Sequence, residues 1–123
     1  MAVLIGTHIL IWALSSPEKL RSGISDLLND NEVLVSSASF WEIQIKRQLE
    51  KLQFDMDLGH LVRDGIVSSL PISYVHSLVI YDLPPIHKDP FDRMLIAQSK
   101  SEGIPLVTAD KTIQQYDLVF IPA

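Results

Sequence analysis

A chain of 123 residues with 47% hydrophobic content suffices for one compact domain over 1–123 and leaves no room for a second. The absence of cysteine excludes disulfides, thiolate zinc and cysteine nucleophiles, and a net charge of −5 argues against a broadly cationic surface for non-specific nucleic-acid binding. No apolar run approaches the roughly 20 residues that cross a bilayer, and Met1 to Ile5 has neither a basic start nor a small-residue cleavage site, so a cytoplasmic protein with no membrane partner is expected.

The chain opens on Ala2-Val3-Leu4-Ile5, a continuously apolar run of the kind a strand covered on both faces requires, punctuated by Gly6-Thr7. His8 to Leu14, with Ile9, Leu10, Ile11 and Trp12, is too apolar for a surface helix and is expected to pack on the sheet. Ser16-Pro17-Glu18 opens a further helical stretch whose inner face carries Ile24, Leu27 and Leu28. Val33-Leu34-Val35 reads as a second strand. Ser36-Ser37 then caps a helix to about Leu52, with Trp41, Ile45, Leu49 and Leu52 predicted as its buried stripe.

Asp57 is a candidate cap for a helix over Leu58 to Val67, Leu70-Pro71-Ile72 for a short edge strand, and Ser73 for the cap of a helix to Tyr81. After the loop Leu83-Pro84-Pro85-Ile86, Asp89 fits an N-cap and Pro90 the first helical position, where no donor is needed. That helix is predicted to end near Glu102, before Gly103 and Pro105. Leu106-Val107 and Val119-Phe120-Ile121 complete the strands, with a short turn or helix over Lys111 to Gln115 between them. Short apolar strands alternating with helices predict an α/β fold with a parallel sheet covered on both faces.

In open parallel sheets the loops and helix amino termini converge beyond the carboxyl ends of the strands. Asp110 follows the Leu106-Val107 strand, Glu42 lies early in the helix after Val33-Leu34-Val35, and Asp92 opens the helix before Leu106. All three are therefore expected at one pole. If they converge, their repulsion calls for a cation, and all-oxygen ligation selects a hard ion such as Mg²⁺ or Mn²⁺, which also allows an acidic chain to meet a phosphodiester. Each acid has a plainer reading: Glu42 pairs with Lys46 at i+4, Asp110 caps a turn, Asp92 favours its helix terminus. Ser36 and Thr108 end strands at the same pole and serve either to orient an acid or metal-bound water, or to cap. His8, His60, His76 and His87 show no paired ligand spacing, which favours surface, capping or core roles, and both tryptophans read as core. No G-x-S-x-G, phosphate-loop or dinucleotide fingerprint occurs.

Three ordered groups, Thr7-His8-Ile9-Leu10-Ile11-Trp12-Ala13-Leu14 with Pro17-Glu18-Lys19-Leu20, Ser39-Phe40-Trp41-Glu42-Ile43 with Lys46, and Asp89-Pro90-Phe91-Asp92-Arg93-Met94-Leu95-Ile96-Ala97-Gln98 with Leu106-Val107-Thr108-Ala109-Asp110, resemble a PIN-domain ribonuclease of the VapC toxin type across essentially the whole chain. The resemblance implies a three-layer α/β/α sandwich with a central, mostly parallel sheet of about five strands. It also implies Mg²⁺- or Mn²⁺-dependent hydrolysis of RNA, a cognate antitoxin and a homodimer. Carried over by position, Glu42, Asp92 and Asp110 match the acidic metal and catalytic residues, Asp89 is a helix cap, and Lys46 and Arg93 steer phosphate or pair with nearby acids. Thr7 is a candidate holder of metal-bound water. The family's first aspartate is Gly6 here, a degenerate metal position. A lost ligand of this kind costs at least about 10- to 100-fold in affinity or activity, so impaired catalysis is expected. The alternatives are a catalytically inactive interaction module of the same fold, or a phosphotransfer domain with Asp110 as its nucleophile.

Overall fold

The computed structural model describes Met1–Ala123. Strands β1 (Ala2–Ile5), β2 (Glu32–Ser36), β3 (Ser68–Leu70), β4 (Leu106–Thr108) and β5 (Phe120–Pro122) form one sheet in the order β3-β2-β1-β4-β5, with every neighbouring pair parallel. Around it run α1 (Thr7–Ser15), α2 (Ile24–Asp30), α3 (Ser37–Gln48), α4 (Leu58–Arg63), α5 (Tyr74–Val79) and α6 (Pro90–Glu102), with single 3-10 turns at Pro17–Lys19, Ile80–Asp82 and Ile113–Gln115. This is the predicted three-layer sandwich, with a sheet that is wholly rather than mostly parallel.

Strand periodicity builds the layers. Val3 and Ile5 of β1, Val33 and Val35 of β2 and Val107 of β4 face one way, onto Ile9 and Leu10 of α1, Ile24, Ile43, Leu58 and Leu61. The alternate residues Leu4, Leu34 and Leu106 face Leu95, Ile96 and Ala97 of α6. Each strand is thus apolar on both faces, as a parallel sheet between helical layers requires.

The chain steps from β1 outward through β2 to β3 and then returns past β1 to β4, so the winding direction reverses between β1 and β4. At such a switch point the flanking loops diverge and leave a crevice beyond the carboxyl ends of the two strands. The register Ile5↔Val107 sets Gly6 and Thr108 side by side at its mouth.

Local chemistry explains most boundaries. Asp89 accepts bonds from the amides of Phe91 at 2.8 Å and Asp92 at 3.1 Å, Pro90 follows, and Gly103 ends α6 in the left-handed region at φ 66°. Asp57 and Ser73 cap α4 and α5 as expected. However, α4 stops at Arg63 rather than Val67, and the edge strand lies at Ser68–Leu70, two residues ahead of its predicted place. Pro71 cannot donate to a ladder and falls just outside it.

Helix α3 rotates its predicted stripe out of the core. Trp41 is 61% exposed and Leu49 58%, whereas Ala38, Ser39, Glu42 and Ile43 are buried. The inner face of α3 carries polar groups, so apolar periodicity marks the wrong face.

The end of α3 is a full Schellman turn. The Lys51 amide bonds to the Lys46 carbonyl at 2.8 Å and the Glu50 amide to the Arg47 carbonyl at 3.0 Å. Glu50 occupies the left-handed position at φ 58°, where a Cβ costs about 1 kcal/mol. Glu50→Gly is accordingly expected to raise stability by a few tenths to about 1 kcal/mol, the gain being reduced by glycine's larger unfolded-state entropy. Urea denaturation checks this, and a loss of stability would contradict it.

Candidate metal-binding active site

Three chain segments meet in the β1/β4 crevice. Gly6, Thr7, His8, Ile9 and Trp12 come from the β1–α1 junction, Thr108, Ala109, Asp110 and Ile113 from the segment after β4, and Asp92 from the first turn of α6, around a cavity of about 160 Å³.

Asp92 and Asp110 are joined by His87. Its Nε2 lies 3.0 Å from Asp92 Oδ2 and 3.1 Å from Asp110 Oδ2, and the three ligand-type atoms fall within 4.8 Å of one another. Nothing in the sequence singles out His87 for this place, because it precedes the helix in a loop and pairs with acids at separations of 5 and 23 residues. Spacing rules for histidine ligands do not reach such a pattern. The ring's other nitrogen decides its role. Nδ1 accepts the Asp89 amide at 3.1 Å, so in the neutral ring Nε2 carries the proton and donates to the carboxylates. A nitrogen that donates has no lone pair for a metal. His87 therefore aligns the two acids, whose oxygens are the candidate ligands.

The environments of Asp92 and Asp110 drive their carboxyls apart. Burial, together with the negative charges of Asp89, Glu42 and Asp110, pushes Asp92 up to about 7, although His87 opposes the shift. For Asp110, burial also acts upward. The His87 hydrogen bond and the amides of Ile113 and Thr112, the latter 2.8 Å from Oδ1, outweigh it and hold that carboxyl below its ordinary range.

Glu42, expected as a third ligand, belongs neither to the cavity lining nor to the cluster of ligand-type atoms; it is 3% exposed and close enough for its charge to help raise Asp92. Thr7 Oγ1 donates to its Oε1 at 2.8 Å and lies 2.9 Å from Ser39 Oγ, while Lys46 Nζ binds Oε2 at 2.6 Å. Thr7 thus positions Glu42 directly, and Lys46 is the i+4 partner of that acid. Thr108 Oγ1 accepts the Asp110 amide at 3.0 Å and shapes the turn that carries the carboxylate, whereas Ser36 Oγ caps α3 through the Ala38 amide at 3.0 Å.

Arg93, expected either to steer phosphate or to pair with a nearby acid, turns to loop carbonyls instead. Its guanidinium reaches the carbonyls of Ile80, Leu83, Pro84 and His87 and the Tyr116 hydroxyl, at 3.1 to 3.4 Å. It pins the segment that carries His87, because five donors in a fork suit converging carbonyls better than one ion pair. Trp12 is half-buried at the cavity wall rather than fully in the core.

The degenerate position shows no structural need for glycine. Gly6 has φ −68° and ψ 162°, a conformation open to any residue, and a Cβ there would meet only Val107 O at 3.5 Å and Ile9 Cγ1 at 3.9 Å. The donor set fits a hard divalent ion. It holds clustered carboxylate oxygens with few cations beside them and open volume for water ligands.

The PIN domain family model matches residues 3–118, and the chain belongs to the PIN domain family. Among solved structures it is similar to VapBC2 from Rickettsia felis bound to a promoter DNA fragment (16% identity, TM-score 0.72, covering 99% of this chain and 98% of that one). It is also similar to DNA-bound VapBC from Salmonella typhimurium (14%, TM-score 0.72, 99% and 98%) and to FitAcB from Neisseria gonorrhoeae (13%, TM-score 0.65, 98% and 96%). At these identities the likeness is one of fold. No curated protein matches the sequence.

Proposed function

We propose that the protein is the toxin component of a toxin–antitoxin pair, built as a Mg²⁺- or Mn²⁺-dependent endoribonuclease and impaired at its first metal position by Gly6. The observation that carries this reading is the grouping of Asp92 and Asp110 about His87 at the β1/β4 switch point of a PIN fold, beside the open Cβ position of residue 6. Asp92 would hold the cation through Oδ1, and Asp110 through the lone pairs that its bonds to His87, Thr112 and Ile113 leave over. Glu42 would support it from behind, held by Thr7 and Lys46. When bound, the ion supplies an activated water and positive charge against the oxygens of the phosphodiester being cleaved. His87 keeps the two aspartates in register, Asp89 fixes the start of α6, and Trp12 walls the site from the core.

The test is restoration of the missing carboxylate. Gly6→Asp is expected to produce EDTA-sensitive cleavage of RNA and a growth arrest relieved by the cognate antitoxin. Folded Gly6→Asp protein that does neither in Mg²⁺ or Mn²⁺ would overturn the reading and leave the interaction module of the same fold.

Antitoxin and self-association both require apolar surface. One such face is open: Ala38, Trp41, Ile72, Ile80, Phe91 and Met94 surround a cavity with almost no polar lining, and Trp41 meets Phe91 edge-on at 5.3 Å between ring centroids. On neighbouring α5 and the turn after it, Tyr74, Leu78 and Tyr81 are 78%, 66% and 93% exposed. A homodimer through this face is the reading we favour, since exposed apolar surface of this kind marks an interface. Trp41→Glu with Leu78→Glu is expected to shift the protein from dimer to monomer in sedimentation velocity. A wild-type protein that is monomeric at micromolar concentration would contradict it.

A further inference from the structure

Next to the acidic cavity lies a second groove, of about 440 Å³, whose lining carries three lysines, Lys19, Lys46 and Lys51, and no acid. On a chain of net charge −5 this concentration of positive charge is against the trend. Lys46 is engaged by Glu42. Lys19 and Lys51 are exposed and form no ion pair. They are brought there by unrelated segments: Lys19 ends the 3-10 turn after α1, and Lys51 is delivered by the Schellman turn closing α3, at the cost of a left-handed Glu50.

The groove is continuous with the metal cavity. Thr7, His8 and Trp12 line both, and the His8 and Trp12 rings stand at the shared wall, 6.3 Å apart and inclined at 57°. Backbone-tracking cations with aromatic faces beside them are the elements of sequence-tolerant single-strand recognition: the lysines meet phosphates and the rings offer surfaces to bases.

We infer that this groove is the path of the single-stranded RNA substrate, with Lys19 and Lys51 each contacting a backbone phosphate and the His8/Trp12 wall passing the strand into the acidic cavity. The inference rests on the ribonuclease reading and extends it by assigning where the strand lies on one side of the cleaved bond. A duplex is not accommodated in this role, because its stacked bases leave no face for the aromatic wall.

The test measures binding of a short fluorescent single-stranded oligouridylate to wild-type protein in EDTA, so that binding is read without cleavage, over a salt series. Each phosphate contact on a single strand contributes about 0.7 to the slope of log K against log salt. Lys19→Ala/Lys51→Ala is expected to flatten that slope by about 1.4. Between about 50 and 200 mM salt the wild type should then lose about sevenfold more affinity than the double variant. Lys100→Ala, whose ammonium bonds the Asp117 carbonyl away from both cavities, should leave the slope unchanged. An unchanged slope in the folded double variant, or lysine-dependent binding of an oligoglutamate peptide with none of RNA, would overturn the inference. If the slope falls as expected while Gly6→Asp cleaves nothing, the groove stands and the ribonuclease reading fails.

Discussion

Gly6→Asp should turn a weak or silent protein into a metal-dependent ribonuclease, with a gain of at least about 10- to 100-fold in cleavage rate over wild type. The magnitude follows from what is missing: Asp92 and Asp110 already face the cavity, and the backbone at residue 6 already has the shape an aspartate needs. The new side chain starts from a Cβ with only ordinary contacts, at 3.5 Å and 3.9 Å, beside the cavity that Asp92 and Asp110 line. It also stands at the N-cap of α1, a position where aspartate is at least as favourable as glycine, so capping adds no penalty and the charge added beside Asp92 and Asp110 is offset once the cation binds. Single-turnover cleavage of a labelled RNA in Mn²⁺, with EDTA as control, reads the effect. Gly6→Asn, which adds volume and polarity without charge, should recover much less.

Asp92→Asn should make the metal-free protein more stable while abolishing the activity that Gly6→Asp confers. The raised carboxyl of Asp92 sets the pH dependence. Its folded value of about 7 exceeds the unfolded value of 3.8, so the folded protein binds the extra proton between them. The stabilising contribution is present in full below about pH 4 and is lost as pH rises through 7. At pH 5 the variant should therefore lead wild type by less than half of the margin it reaches at pH 8, the two converging only below about pH 4. At pH 8 it should be more stable by about 1 to 2 kcal/mol, once solvent screening of a partly exposed carboxylate is allowed for. Saturating Mn²⁺ should reverse the order at pH 8, because a ligand at 100 times its Kd stabilises the binding-competent form by about 2.7 kcal/mol. Urea denaturation at the two pH values, with and without Mn²⁺, checks both signs. A wild type whose stability is flat from pH 5 to pH 8 would contradict the account of Asp92.

A stretch of sequence is legible where one physical demand dominates it. Asp89-Pro90 and Gly103 bracket α6 because capping and the left-handed exit each select few residue types, and both ends fall where expected. The apolar runs at Val3 to Ile5 and Val33 to Val35 mark doubly covered strands, and the switch-point rule then leads to the pole where Asp92 and Asp110 meet. The reading fails where two demands compete. On α3 the inward face holds Ser39 and Glu42 for the site, so Trp41 and Leu49 mimic a core stripe while facing solvent. Arg93, next to Asp92, reads equally as a phosphate ligand or as the partner of an acid until the loop carbonyls it collects are seen. His87 escapes altogether, because its partners and the amide that sets its tautomer are brought together only by the folded loop.

The most direct test of the account is a crystal of the protein grown or soaked in Mn²⁺, with data collected for the metal's anomalous signal. The account predicts a peak in the β1/β4 crevice within about 2.0 to 2.3 Å of oxygens from both Asp92 and Asp110, with the His87 ring outside the coordination sphere. A Mn²⁺-saturated crystal without that peak, or with the ion held elsewhere on the molecule, would contradict it.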